Sequence, residues 1–129
     1  MIHNFKSFNE SRKDKFPNIK KMEIDGFVVY IGRNDKSNDY LTFNLANKED
    51  IWMHAKGVPG SHVIIKVKDR LPTNEVIKQV AQITKRNSKS NKDDKVVIVY
   101  CKRKFVKKEK DMNDGQVKVD YINASEITV

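Results

Sequence analysis

Asp50-Ile51-Trp52-Met53-His54-Ala55-Lys56-Gly57-Val58-Pro59-Gly60-Ser61-His62-Val63-Ile64-Ile65-Lys66-Val67 is the stretch that decides the fold. Residues 50–55 read as a buried strand around the only tryptophan of the chain. Gly57-Val58-Pro59-Gly60 must then be a loop, because glycine reaches backbone angles closed to other residues and proline removes a donor. Residues 61–67 return to a strand rich in β-branched side chains.

Toward the N-terminus, Met22 and Ile24 alternate with charged residues, and Phe27–Ile31 is a second apolar run. Asp25-Gly26 lies between them, a hairpin signature. Asn38 reads as the N-cap of a short helix over about 39–46, with Asp39 in its first turn and Leu41 and Leu45 one turn apart. Toward the C-terminus, Thr73 reads as the cap of a long helix over about 73–86. Val76, Ile77, Val80, Ala81 and Ile83 share its apolar face, and Lys85-Arg86 suit the negative end of its dipole. Val96–Tyr100 is a continuous β-branched run, the pattern of a strand covered on both faces. Lys104–Lys108 reads as a short strand. Val117, Val119 and Tyr121 alternate, a turn falls at Asn123-Ala124, and Ile127–Val129 closes the chain. The expectation is an α+β fold: a mostly antiparallel sheet of about six or seven strands, with the long helix packed on it and one short helix. Residues 1–18 read as a polar lead-in and 19–129 as a single domain.

Composition narrows the function. The chain has 129 residues, 38% hydrophobic and 33% charged. No apolar run approaches the roughly 18–20 residues of a membrane span, and the N-terminus lacks the apolar core of a secretory signal. One cysteine, Cys101, excludes an intramolecular disulfide and a cysteine-cluster zinc site. A reducing, cytoplasmic setting without a membrane partner is expected. Net charge is +9, from 26 basic and 17 acidic residues, and it is unevenly spread. Residues 1–50 hold 9 basic and 8 acidic residues; residues 85–110 alone hold 11 and 3. So concentrated a cationic segment points to a polyanion, nucleic acid first. The competing reading is a solvated lysine-rich surface.

Three segments carry candidate contacts. Around residues 31–41, Arg33, Lys36 and the amides near Asn38 could receive a phosphate, or the segment could be ordinary turn chemistry. Around residues 52–62, His54 and His62 flank a loop whose glycines let backbone amides approach an anion, with Ser61 adding a hydroxyl. A metal needs a third ligand, and His3 is the only other histidine, so no metal site is expected. A serine–histidine nucleophile lacks an orienting acid and a strand–turn–helix elbow, so no catalytic residue is assigned. Structural histidines bonding buried backbone are the competitor. Over residues 102–108, Lys102, Arg103, Lys104, Lys107 and Lys108 surround Phe105, a pattern suited to phosphates with a base to stack. Cys101 beside these cations reads as a small packing residue.

Taken in order, Gly32-Arg33-Asn34, Asn38-Asp39-Tyr40-Leu41-Thr42, Asp50-Ile51-Trp52-Met53-His54 and Pro59-Gly60-Ser61-His62-Val63 resemble the NFACT-R domain. This is the RNA-binding domain of the NFACT proteins of ribosome quality control. The likeness runs over roughly residues 19–129, and Asp111-Met112 with Gly115-Gln116-Val117 is similar to the small eukaryotic coiled-coil-domain relatives. Where the family often carries lysine-proline-lysine-glycine, this chain has Lys108-Glu109-Lys110-Asp111. The resemblance implies a non-enzymatic RNA-binding module without a cofactor. Its implied partners are tRNA or rRNA and the large ribosomal subunit. Position by position, it implies RNA contacts at Arg33, Asn34, Asn38, Asp39, His54, Lys56, Ser61, His62, Lys104, Lys107 and Lys108. Asp50 and Trp52 match as well and read as structural. Full-length members also carry an NFACT-N domain, helix-hairpin-helix elements and a coiled coil, so this chain reads as a free-standing domain. The alternatives are a small RNA-processing or RNA-modifying enzyme using His54, Ser61 and His62, and an adaptor whose basic face meets DNA or an acidic protein.

Overall fold

The computed structural model describes residues 18–129. All but the last residue of the expected lead-in lies outside the described residues. Strands β1 (Ile19–Ile24) and β2 (Phe27–Gly32) pair antiparallel from Ile19↔Gly32 to Ile24↔Phe27. Asp25 and Gly26 form the expected two-residue turn, with φ of +50° and +84°. Positive φ at both positions matches the twist of the flanking strands.

The decisive stretch supplies the two middle strands of the sheet. β3 (Ile51–Ala55) and β4 (Val63–Ile65) pair antiparallel through Trp52↔Ile64. β4 then pairs with β2, while β3 pairs with β5 (Val97–Lys102) and β5 with β8 (Ser125–Thr128). The order is β1-β2-β4-β3-β5-β8, all antiparallel. β6 (Val106–Lys107) and β7 (Lys118–Val119) form a separate two-stranded ribbon.

Strand periodicity divides the central residues between two cores. Met53, Ala55, Val63, Ile65 and Ile98 pack with the apolar face of α2 (Asn74–Arg86), which carries Val76, Ile77, Val80 and Ala81. Thr73 caps α2 as expected, its hydroxyl accepting from the Val76 amide at 3.2 Å. On the other face, Trp52, Ile64, Val99 and Cys101 pack with Leu41, Ala46 and Val106. Both faces of the middle strands are therefore covered. Among the described residues, no helix is long and apolar enough to cross a membrane.

The short helix differs from expectation at its start. α1 spans Asp35–Tyr40 and continues as a π turn, Leu41–Leu45. Its cap is Asn34, not Asn38. The Asn34 side chain accepts from the Ser37 amide at 2.8 Å, and Ser37 Oγ accepts from the Asn34 amide at 3.0 Å. Two asparagines four residues apart both fit a cap; Ser37 completes the reciprocal box only for Asn34. Asn38 instead serves a long-range contact described below. The expected strand over 104–108 begins with a 3₁₀ turn, Arg103–Phe105, and the alternation ending at Tyr121 stops in a second one, Tyr121–Asn123.

Candidate nucleic-acid interface

Two open clefts lie side by side and share Val119 and Tyr121 as their common wall. The larger has a volume of about 670 Å³. Trp52, His54 and His62 lie among its lining residues, the loop 57–60 contributes to one wall and residues 112–117 to another. The three rings contact one another, with Trp52 stacked on His54 at 5.8 Å and His62 set edgewise at 5.3 Å from Trp52.

This cleft is built by long-range polar clamps. Asn38 Oδ1 accepts from the His62 amide at 3.0 Å, and its Nδ2 donates to the Gly60 carbonyl at 3.3 Å. Asn38 has room only because residue 32 is glycine: a Cβ there would lie 2.1 Å from Asn38 Oδ1. His62 Nδ1 shares a hydrogen bond with Thr42 Oγ1 at 2.9 Å. Burial and the neighbouring His54 push the His62 pKa down to about 3, and burial also lowers that of His54. Both rings are thus neutral near pH 7, with burial outweighing the backbone contacts that favour protonation. Lys108 holds the opposite wall. Its ammonium meets the Asp39 carboxylate at 3.0 Å, donates to the Gln116 carbonyl at 2.8 Å and also to the Asn113 carbonyl.

The smaller cleft, about 510 Å³, is lined by Lys107, Lys108 and Lys118, by the carboxylates Glu109 and Asp120, and by Phe105 and Ile122 beside the shared wall; Lys118 is paired with Glu109 at 3.3 Å on the exposed surface. Lys107 and Lys118 are directly opposed across the β6–β7 ladder. Like charges in that position destabilise a ribbon. Tyr121 is 54% and Ile122 94% exposed, although both are large and apolar. Lys56 Nζ sits 5.2 Å from the Tyr121 ring centroid and is also paired with Glu126 at 2.5 Å.

The expected contact residues separate by position. Arg33 and Lys36 are exposed around the start of α1, next to Asp35 on the wall of the larger cleft. Asn34 is also exposed and forms the cap. Asn38, Ser61 and His62 are buried, and the Ser61 amide already donates to the Asn87 carbonyl at 3.0 Å. The amides of residues 61 and 62 are thus engaged within the fold. Gly60 packs against Ser88, whose Cβ would lie 2.8 Å from a Cβ at residue 60. Lys102 and Lys104 are exposed but share Glu49, at 2.8 and 3.0 Å, and together they lower its pKa. Arg103 lies over the Phe43 ring at 5.4 Å. Asp39 is bound to Lys108. Cys101 is buried, and burial with the nearby Asp120 raises its thiol to about 11, so it is an inert packing group. Among the described residues, no three His, Cys, Asp or Glu side chains are grouped to hold a metal.

Lys118, Tyr121 and Ile122 escaped the reading of the sequence. In the sequence Tyr121 reads as one more apolar residue of an alternating strand. Pairing of β7 with β6, eleven residues upstream across a polar loop, left no local signal. A Tyr-Ile pair beside an isolated lysine is a weak pattern by itself.

The family described as NFACT protein RNA binding domain matches residues 15–120. Among relatives, the Rqc2 homolog RqcH of Bacillus subtilis is 36% identical over 95 residues, covering 74% of this chain and 16% of that protein. Coiled-coil domain-containing protein 25 of Danio rerio is 29% identical over 95 residues, 70% of this chain and 45% of that protein. In structure, the chain is similar to the C-terminal part of the fibronectin/fibrinogen-binding protein from Streptococcus suis. The TM-score is 0.77 at 30% identity, over 87% of this chain and 44% of that one. The chain thus spans less than half the length of these relatives. The ordered motifs, the antiparallel sheet and these matches agree: the chain belongs to the NFACT RNA-binding domain family.

Proposed function

We propose that this domain binds RNA on the face carrying the two clefts, without chemical turnover. The observation that carries the reading is the exposed Tyr121-Ile122 turn beside the opposed Lys107 and Lys118. Cations for the backbone next to a flat aromatic for a base are what single-stranded RNA needs, since its bases are free to stack on side chains. Lys107 and Lys118 take phosphates, helped by Lys56, Arg33 and Lys36 around the rim. Lys102, Arg103 and Lys104, at the end of β5 and in the turn that follows, extend the track. Asn38, His54, Ser61, His62 and Lys108 act mainly by shaping the clefts. The RNA is tRNA or rRNA in this reading, and the relatives named as Rqc2 homologs support a role linked to ribosome quality control.

The test is binding of labelled tRNA and of single-stranded RNA across a salt series. With about 4–6 phosphates neutralised, log affinity falls against log salt with a slope near −3 to −4 for single strands. Binding that survives high salt and nuclease treatment would overturn the reading in favour of a protein adaptor. Cleaved or modified RNA, detected by mass spectrometry and abolished in His54→Ala, would overturn the non-enzymatic part.

A further inference from the structure

The larger cleft is not a phosphate site. None of its lining residues is lysine or arginine, and two are carboxylates, Asp35 and Asp114. Its histidines are neutral near pH 7. A phosphate entering it would meet these two carboxylates, and the one ammonium bonded to its wall, that of Lys108, is already held by Asp39. The cleft nevertheless has the size of a small-molecule site, which spans roughly 300–1,000 Å³.

One donor there lacks an acceptor. Trp52 lines the cleft and is 1% exposed, and its indole N–H has no hydrogen-bond partner. A buried donor left unpaired is costly, so it favours a ligand that brings an acceptor. Around it, Pro59, Val117 and Tyr121 offer apolar surface, and the two carboxylates accept hydrogen bonds. The matching ligand is planar and uncharged, and it carries donors and acceptors together.

We infer that this cleft takes one unstacked nucleobase bearing an exocyclic amino group, with Trp52 donating to a base acceptor and Asp35 or Asp114 accepting from the amino group. The inference rests on the RNA-binding reading above and states what that face takes. Adenine, cytosine and guanine have both an amino donor and ring or carbonyl acceptors; uracil lacks the amino group. The base enters this cleft while its phosphates stay outside, toward Lys107 and Lys118 beyond the Tyr121 wall.

Trp52 is the only tryptophan, so its emission reports on the cleft. The experiment titrates the protein with single-stranded RNA of about six residues. The probes are oligoadenosine, oligocytidine, oligouridine and an abasic ribose-phosphate strand. Fluorescence anisotropy of the labelled strand measures affinity, and Trp52 emission measures occupancy. Oligoadenosine and oligocytidine should bind about tenfold more tightly than the abasic strand and several-fold more tightly than oligouridine, and both should alter Trp52 emission. Asp114→Ala, alone and combined with Asp35→Ala, should bring the preference over oligouridine to near unity while leaving the salt slope unchanged. Equal binding of the abasic strand, or a preference that survives both substitutions in folded protein, overturns the inference but leaves RNA binding intact. Failure of every strand, and of tRNA, to bind overturns the RNA-binding reading itself.

Discussion

The two clefts are neighbours across one wall, yet they are built by opposite means. The smaller is an exposed surface on which three lysines outnumber two carboxylates, beside apolar residues that the fold does not cover. In the larger, polar side chains are spent inside: Asn38 on the 60–62 backbone, His62 on Thr42 and Lys108 on Asp39 and two carbonyls. Matching residues to a family pattern treats all of these alike. Their partners show that some shape a cavity and others face solvent. A dense run of lysines therefore locates where phosphates can lie, but not where a base can.

The sharpest break in this comparison comes from the frame of the larger cleft. Gly32→Ala places a Cβ 2.1 Å from Asn38 Oδ1 and must displace the clamp. The loss of two buried hydrogen bonds and of packing is expected to cost about 2–4 kcal/mol. Urea unfolding should show that loss, and the surviving folded protein should keep Lys107-dependent salt sensitivity. A Gly32→Ala protein as stable as the parent would show that the clamp does not hold the cleft.

Acid should act on the same side. The folded-state pKa of His62 lies near 3 and that of His54 is also lowered, both below the value near 6.5 expected when unfolded. Between those values the unfolded chain binds more protons, so stability is fully present above about pH 6.5 and falls as pH drops toward 3. The loss should be on the order of 3 kcal/mol between about pH 6.5 and 4. Thermal melts from pH 7 to 4 should show it, and His62→Gln should be less stable at pH 7 with a flatter profile. A parent melting temperature independent of pH would contradict the buried neutral histidines.

The wall and the basic cleft should give smaller, purely binding effects. Tyr121→Ala removes the exposed ring and should weaken single-stranded RNA by about 1–2 kcal/mol without changing the salt slope. Lys107→Ala with Lys118→Ala should cost about 1 kcal/mol near physiological salt and flatten the slope by about 1.4, two phosphates' worth for single strands. Removing the opposed charges relieves their repulsion but also loses the exposed Lys118–Glu109 pair, so the melting temperature should change little. If the tyrosine variant altered the slope and the lysine pair did not, the roles assigned to wall and cleft would be reversed. Smallest of all, Lys104→Ala should leave the urea midpoint unchanged, because the pair is solvent-exposed and Lys102 still holds Glu49.

Local chemistry by itself determined a good part of this protein. Asp25-Gly26 can close a two-residue hairpin because both residues tolerate positive φ. Thr73 and the apolar stripe from Val76 to Ile83 specify α2 within a few turns of chain. The ordered motifs from Gly32 to Val63 were enough to indicate the family. Tertiary structure decided what depends on partners distant in sequence. Asn34 and Asn38 are interchangeable as caps until the 60–62 backbone claims Asn38, 22 to 24 residues away. Lys108 looks like one lysine among many until Asp39, 69 residues earlier, takes its charge. Lys118 and Tyr121 face the surface only because β7 pairs with β6 and a 3₁₀ turn follows. Turns and helices are encoded by neighbours within a few residues, whereas a side chain's burial and bonding partners are fixed only when distant segments close on it.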